Sequence, residues 1–389
     1  MVWILLALLA NGIISFAYTV STTPETTNLW AMLATTFVFY LGITQTGIIF
    51  SAFMRIAKSE WGKLFSRIGE ILTLSFIPVA FATFIIIYLG GTEHLFYWAK
   101  PALDAAHGGH EATGAAHHIS PWLTKDLFLW RTIISMALFY FFSYLYFSNA
   151  RVEEKGHPGI NLESRLNVLA GIVMFFYVMT NTNTAWDFGM MIIQHWESTI
   201  FPPYYWVGNV FAGVSFLFIF GAWALKKYVR INLRNEKETL DYMGLMLMGF
   251  TLLWVYMLWS QHIVLWYGDI PALTVPVVKT MTGNYSWAFF IMLFALFIIP
   301  FIALLYRKVK LSLTALTAVA YIICVGVWIN RYLMVMPVFS DGSAYTFFSW
   351  TGIALILGGL SAMLVSFFAF LKLFPNVTIT TYAEKHGDH

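Results

Sequence analysis

A single cysteine, Cys324, stands in 389 residues. That rules out a disulfide framework, a Cys-ligated iron–sulfur cluster and a CxxCH haem c site carried by this chain. Charge is also scarce. Only 11% of the residues are Asp, Glu, Lys or Arg, against 59% hydrophobic, whereas a soluble domain carries about a quarter charged residues. So much apolar surface suits helices whose solvent is lipid. No GxGxxG, P-loop or HExxH is present, which removes the common nucleotide and zinc-protease signatures. The first twenty residues lack a basic n-region, and their apolar run is as long as the roughly 20 residues a span needs. They read as a helix that stays rather than a signal peptide.

Apolar runs bounded by polar loops predict ten spans, at about 2–20, 29–54, 66–89, 127–148, 165–186, 203–226, 241–266, 285–306, 312–334 and 347–371. The fold class expected is an all-α polytopic membrane protein forming one membrane domain, 1–389. Seventeen lysines and arginines fall on one set of connections, among them Arg55, Lys58, Lys226, Lys227, Arg230, Arg307 and Lys308. Only Lys100, Lys125, Arg131, Lys279 and Arg331 fall on the other. Basic loops stay on the cytoplasmic side, so both termini are expected there. The loop over 90–126 and the stretch over 187–202 then face outward.

The polar residues inside this apolar chain carry what chemistry it has. Gln45 lies near the middle of span 2 and must point into the bundle, since an unpaired amide facing lipid is costly. A packing hydrogen bond is its plainer reading; a proton or quinone role is the sharper one. Arg67 and Glu70 share a helix face, either as an anchor at the basic interface or with Glu70 as a proton entrance. Arg131 fits an arginine snorkelling at a helix end. Span 5 ends in five polar residues, Thr180 to Thr184, including Asn181 and Asn183, which cannot all lie on one face. His94, His107, His110, His117 and His118 crowd the 90–126 loop without metal-ligand spacing.

By depth, Arg131, Asn181, Asn183, Asp187, Asn209, His262 and Arg331 gather in the outer third of the membrane or at its rim, while the mid-membrane layer holds no Asp, Glu, Lys, Arg or His. That predicts one polar pocket opening outward, against the plainer reading of interfacial caps and ion pairs. Arg131 or Arg331 would hold Asp187 ionised there. His262 is the only histidine well inside a span, so bis-histidine haem b lacks a second ligand.

Three stretches carry a family likeness. WDFGMMIIQHWESTIFPPYY (186–205), SQHIVLWYGDIP (260–271) and WLTKDLFLWR (122–131) resemble a branch of the NrfD/polysulfide-reductase membrane-subunit family. The branch is the second NrfD-like subunit (ActF type) of bacterial alternative complex III. The resemblance implies two four-helix bundles, spans 2–5 (29–186) and 6–9 (203–334), with flanking helices. It implies a quinol:cytochrome c oxidoreductase assembly in an electron-transport chain of the bacterial inner membrane. The companions would be a second NrfD-like membrane subunit, an iron–sulfur subunit, multihaem cytochrome c subunits and small membrane subunits. Haem c and iron–sulfur clusters would sit in those partners, and this chain would carry no redox centre of its own. Quinone or menaquinone is the ligand implied.

Matched by position, the motif residues are Arg131, Trp186, Asp187, His195, Trp196, Ser198, Thr199, Ser260, Gln261, Trp266, Tyr267 and Asp269. The chain departs from the pattern at Asp269, where the branch has Asn, and at Pro271–Leu273 and Met191–Gln194, where it has acidic runs. The candidate residues for a proton path or quinone pocket are Asp187, His195, His262, Asp269, Arg131, Arg331, Asn181, Asn183, Gln261, Gln45 and Glu70. A stand-alone secondary transporter and a purely structural subunit are the alternatives.

Overall fold

A computed structural model describes residues 2–99, 122–154, 162–194, 196–342 and 345–375. Ten helices are long and apolar enough to cross a membrane, and no strand occurs among the described residues. The protein is a polytopic all-α membrane protein. In chain order the spans are Val2–Thr22, Thr27–Ile56, Lys63–Leu95, Lys125–Val152, Leu162–Met190, Phe201–Val229, Lys237–Gly268, Gly283–Leu305, Leu313–Phe339 and Trp350–Leu373. Several run past the apolar stretches that announced them. A backbone with no water to bond stays helical through polar residues as well. One helix was not anticipated: Pro271–Met281, between spans 7 and 8.

Span 2 is the axis. Its apolar stretch is 94% buried within the protein, against 6% for span 1. A helix apolar all round belongs in the interior. Span 2 packs against spans 3, 5, 6, 9 and 10, span 4 against span 5, span 6 against spans 7 and 9, and span 8 against span 9. Span 1 lies along span 10.

Small residues let these helices approach. A side chain on Gly47 would begin 2.9 Å from the Cα of Gly69, and one on Gly69 would begin 3.1 Å from the Cα of Gly47. Spans 2 and 3 therefore touch backbone to backbone, the usual device of membrane helix contacts. Just beside this crossing, the Thr73 hydroxyl donates to Thr44 O (2.6 Å) and accepts from Ile48 N–H (2.9 Å). Those are the two groups that pair in a regular i→i−4 ladder, so span 3 is stitched into the backbone of span 2.

Prolines and wide turns shape the ends. Span 3 is interrupted at Phe76, between Lys63–Ser75 and Ile77–Ile86, where Pro78 follows. Span 5 closes on a π-helical turn, Trp186–Met190, sealed by Met191 N–H to Trp186 O at 2.7 Å. That turn carries Asp187 and widens the helix where it meets span 4.

Candidate functional site

The residues expected to share one outward pocket separate into an ion pair, an amide network and an apolar cavity. His195 lies outside the described residues, as do His107, His110, His117 and His118.

Asp187 is wholly buried. Arg131 Nε donates to its Oδ1 at 2.9 Å, Arg131 Nη2 donates to the same oxygen, and Thr132 Oγ1 donates to Oδ2 at 3.1 Å. The guanidinium also donates to Trp122 O (2.5 Å) and lies 4.9 Å from the centre of the Trp122 ring. Arg131 is thus a buried partner rather than a snorkelling side chain. Both charges are hydrogen-bonded, the condition under which a buried ion pair is tolerated. Of the two arginines proposed for Asp187, only Arg131 pairs with it.

Arg331, in span 9, is buried, and no carboxylate pairs with it among the described residues. Nη2 donates to Tyr205 O (2.7 Å) and Asn209 Oδ1 (3.0 Å), and Nη1 donates to Asn330 Oδ1 (2.8 Å). The Tyr205 ring lies 4.2 Å from the guanidinium carbon, a cation–π contact. From Asn209 the chain of bonds continues through Asn181 (2.8 Å) to Gln45 (2.9 Å). It links spans 9, 6, 5 and 2. Gln45 does point into the bundle, as its position required. The polar run of span 5 divides as well: Asn181 faces this network, whereas Thr180 and Asn183 reach Ser135 of span 4.

The cavity has a volume of about 280 Å³ and lies among spans 6 to 9, the Trp186–Phe201 connection and the Pro271–Met281 helix. Its walls are mostly apolar, including Trp196, Phe201, Phe289, Met292 and Met334. Its polar side chains include Tyr204, Gln261, His262, Lys279, Thr280 and Asn330. Two bonds hold its cover in place, Trp196 Nε1 to Leu273 O (3.0 Å) and Lys279 Nζ to Pro337 O (2.5 Å). His262 Nδ1 lies 2.7 Å from Leu258 O, while its Nε2 is buried with no hydrogen-bond partner. An apolar cavity with a few placed polar groups is the common form of a small-molecule site. Tyr204, Asn330 and Lys279 were not among the site candidates read from the sequence. Tyr204 sat in plain view in the FPPYY start of span 6 but carries no motif. Lys279 belongs to the helix that was read as loop.

Two candidates fall elsewhere. Asp269 is exposed at the end of span 7, in a left-handed conformation with φ +40°. Glu70 is at the opposite, basic end and is buried, so it is no surface anchor. It accepts from Arg67 Nη1 (2.9 Å) and Ser51 Oγ (2.6 Å), and Ser51 Oγ lies 3.1 Å from Tyr146 OH. Among the described residues no group of three His, Cys, Asp or Glu side chains comes together.

No protein-family model matches the chain, and no curated protein matches it.

Proposed function

We propose that this chain is the integral membrane subunit of a quinol:cytochrome c, or other periplasmic-acceptor, oxidoreductase of the alternative complex III type, and that the cavity beside span 7 receives a quinol or quinone head group. The observation that carries the reading is His262. Its Nε2 is a buried polar atom without a partner, on the wall of an apolar cavity within a membrane-embedded bundle. A buried orphan acceptor is costly unless a ligand or water supplies the missing donor. A membrane-soluble molecule with a hydroxyl group answers both features. Electrons then pass to haem and iron–sulfur groups in the partner subunits, and this chain supplies binding and scaffold. The orientation proposed keeps both termini on the cytoplasmic side and the cavity on the periplasmic side.

The test is to purify the chain with its native partners and measure quinol oxidation and quinol binding before and after His262→Leu. Loss of binding by about tenfold or more, the worth of one hydrogen bond to a fully buried group, supports the reading. Unchanged binding and turnover in the assembled variant overturns it.

A second reading has its own observation. Glu70, Ser51 and Tyr146 form a buried hydroxyl–carboxylate chain at the basic end, the chemistry from which a proton path is built. Glu70→Gln would then slow proton uptake into proteoliposomes without altering quinol binding.

A further inference from the structure

Resting on the quinol reading, we infer that Arg331 fixes the hydrogen-bond polarity of the cavity, so that it presents one donor and one acceptor to its ligand: the Tyr204 hydroxyl proton and the His262 Nε2 lone pair.

Arg331 fixes the orientation of the amides around it. A guanidinium only donates. Arg331 Nη1 is 2.8 Å from Asn330 Oδ1, so the atom of Asn330 turned to Arg331 must be its oxygen. Asn330 Nδ2 must then face the other way, where it meets Tyr204 OH at 2.5 Å. An amide nitrogen donates, so the tyrosine oxygen accepts, and its own proton is left for another acceptor. The same logic fixes Asn209, whose Oδ1 faces Arg331 while its Nδ2 donates to Asn181. Every donor in the network points away from Arg331. Elsewhere on the cavity wall the carbonyl of Leu258 can only accept, so His262 Nδ1 carries a proton, and in a neutral imidazole Nε2 is then the lone-pair nitrogen. Both Tyr204 and His262 line the cavity.

The ligand class follows. It is an apolar molecule with a hydroxyl that donates to His262 and an oxygen that accepts from Tyr204. A 1,4-hydroquinone satisfies both. So does its mono-O-methyl ether. The parent quinone has two acceptors and sets a carbonyl against the His262 lone pair. The di-O-methyl ether fails in the same way.

The experiment is equilibrium binding to the purified complex of four short-chain probes: the hydroquinone, its mono-O-methyl ether, its di-O-methyl ether and the quinone. Wild type should bind the first two alike, and the last two about tenfold more weakly, the loss of one hydrogen bond. Asn330→Asp supplies the discriminating variant. A carboxylate accepts from Arg331 and from the Tyr204 hydroxyl together, turning that proton away from the cavity and leaving two acceptors facing the ligand. The hydroquinone, with two hydroxyls, should stay within threefold of its wild-type affinity. The monoether should lose about tenfold, which a merely structural role for Asn330 would not produce. Tyr204→Phe, which removes the donor outright, should weaken the hydroquinone and monoether alike.

If none of the four probes binds wild type, the quinol reading itself fails. If the hydroquinone binds and His262→Leu abolishes it, while monoether and diether bind alike or Asn330→Asp leaves the preference unmoved, the quinol reading stands and the polarity inference is overturned. The wild-type series alone can overturn it should the variants not assemble.

Discussion

Two buried arginines, 200 positions apart in the chain, solve the same solvation problem differently. Arg131 has a carboxylate; Arg331 has only neutral acceptors and a ring. The difference predicts that a second substitution can rescue the loss of Arg131. Arg131→Leu strands the Asp187 charge in the interior, and a broken buried pair costs about 3–5 kcal/mol. Replacing both, Arg131→Leu with Asp187→Leu, should recover most of that loss, read as the midpoint of thermal unfolding in detergent. Asp187 meets Arg131 and Thr132, and it does not line the cavity. Asp187→Asn should therefore lower the yield of assembled protein yet leave turnover per assembled molecule within twofold. A turnover loss of tenfold or more would make Asp187 a proton carrier after all.

At the scale of elements, the contact of spans 2 and 3 is the tightest constraint. The Gly47–Gly69 approach leaves no room for a side chain, and an overpacked interior costs about 1–3 kcal/mol. Gly47→Ala should lower the unfolding midpoint, whereas Gly171→Ala, at a position with open space around it, should not. The Thr73 stitch adds a second check. Thr73→Val keeps the shape and removes two hydrogen bonds to span 2, and about 1–3 kcal/mol should be lost, because Thr44 O and Ile48 N–H are buried. Equal stability would show the ladder closing by itself. The Pro271–Met281 helix matters in another way. It covers the cavity and is held by the Lys279 bond to Pro337 O, so Lys279→Met should speed ligand exchange more than it changes the overall stability.

For the whole molecule, the testable feature is orientation. The basic loops place the turn after span 2 on one side and the turn before span 8 on the other. Ala57→Cys and Thr282→Cys are both at exposed positions, and Cys324 is the only native thiol. In intact cells an impermeant maleimide should label Thr282→Cys and spare Ala57→Cys. The reverse pattern would invert the topology and move the cavity to the cytoplasmic face.

Ten spans, their order and the all-helical class follow from the amino-acid order alone. Length and hydropathy of a run are local properties, and lipid leaves the backbone no other way to satisfy its hydrogen bonds. The inward direction of Gln45 was legible for the same reason, since an amide cannot face lipid. The Arg131–Asp187 pair was half legible: both residues were singled out, but Arg331 was an equal choice because the two arginines share a depth. Only the tertiary structure decided which helix faces meet. It sent Asp187 to span 4, Asn181 to span 6 and His262 to a cavity that neither of them lines, and it raised Tyr204, Asn330 and Lys279 to importance. Sequence spacing places a residue at a depth and on a face of its own helix. Which neighbour that face meets depends on packing between segments far apart in the chain, and no local pattern encodes it.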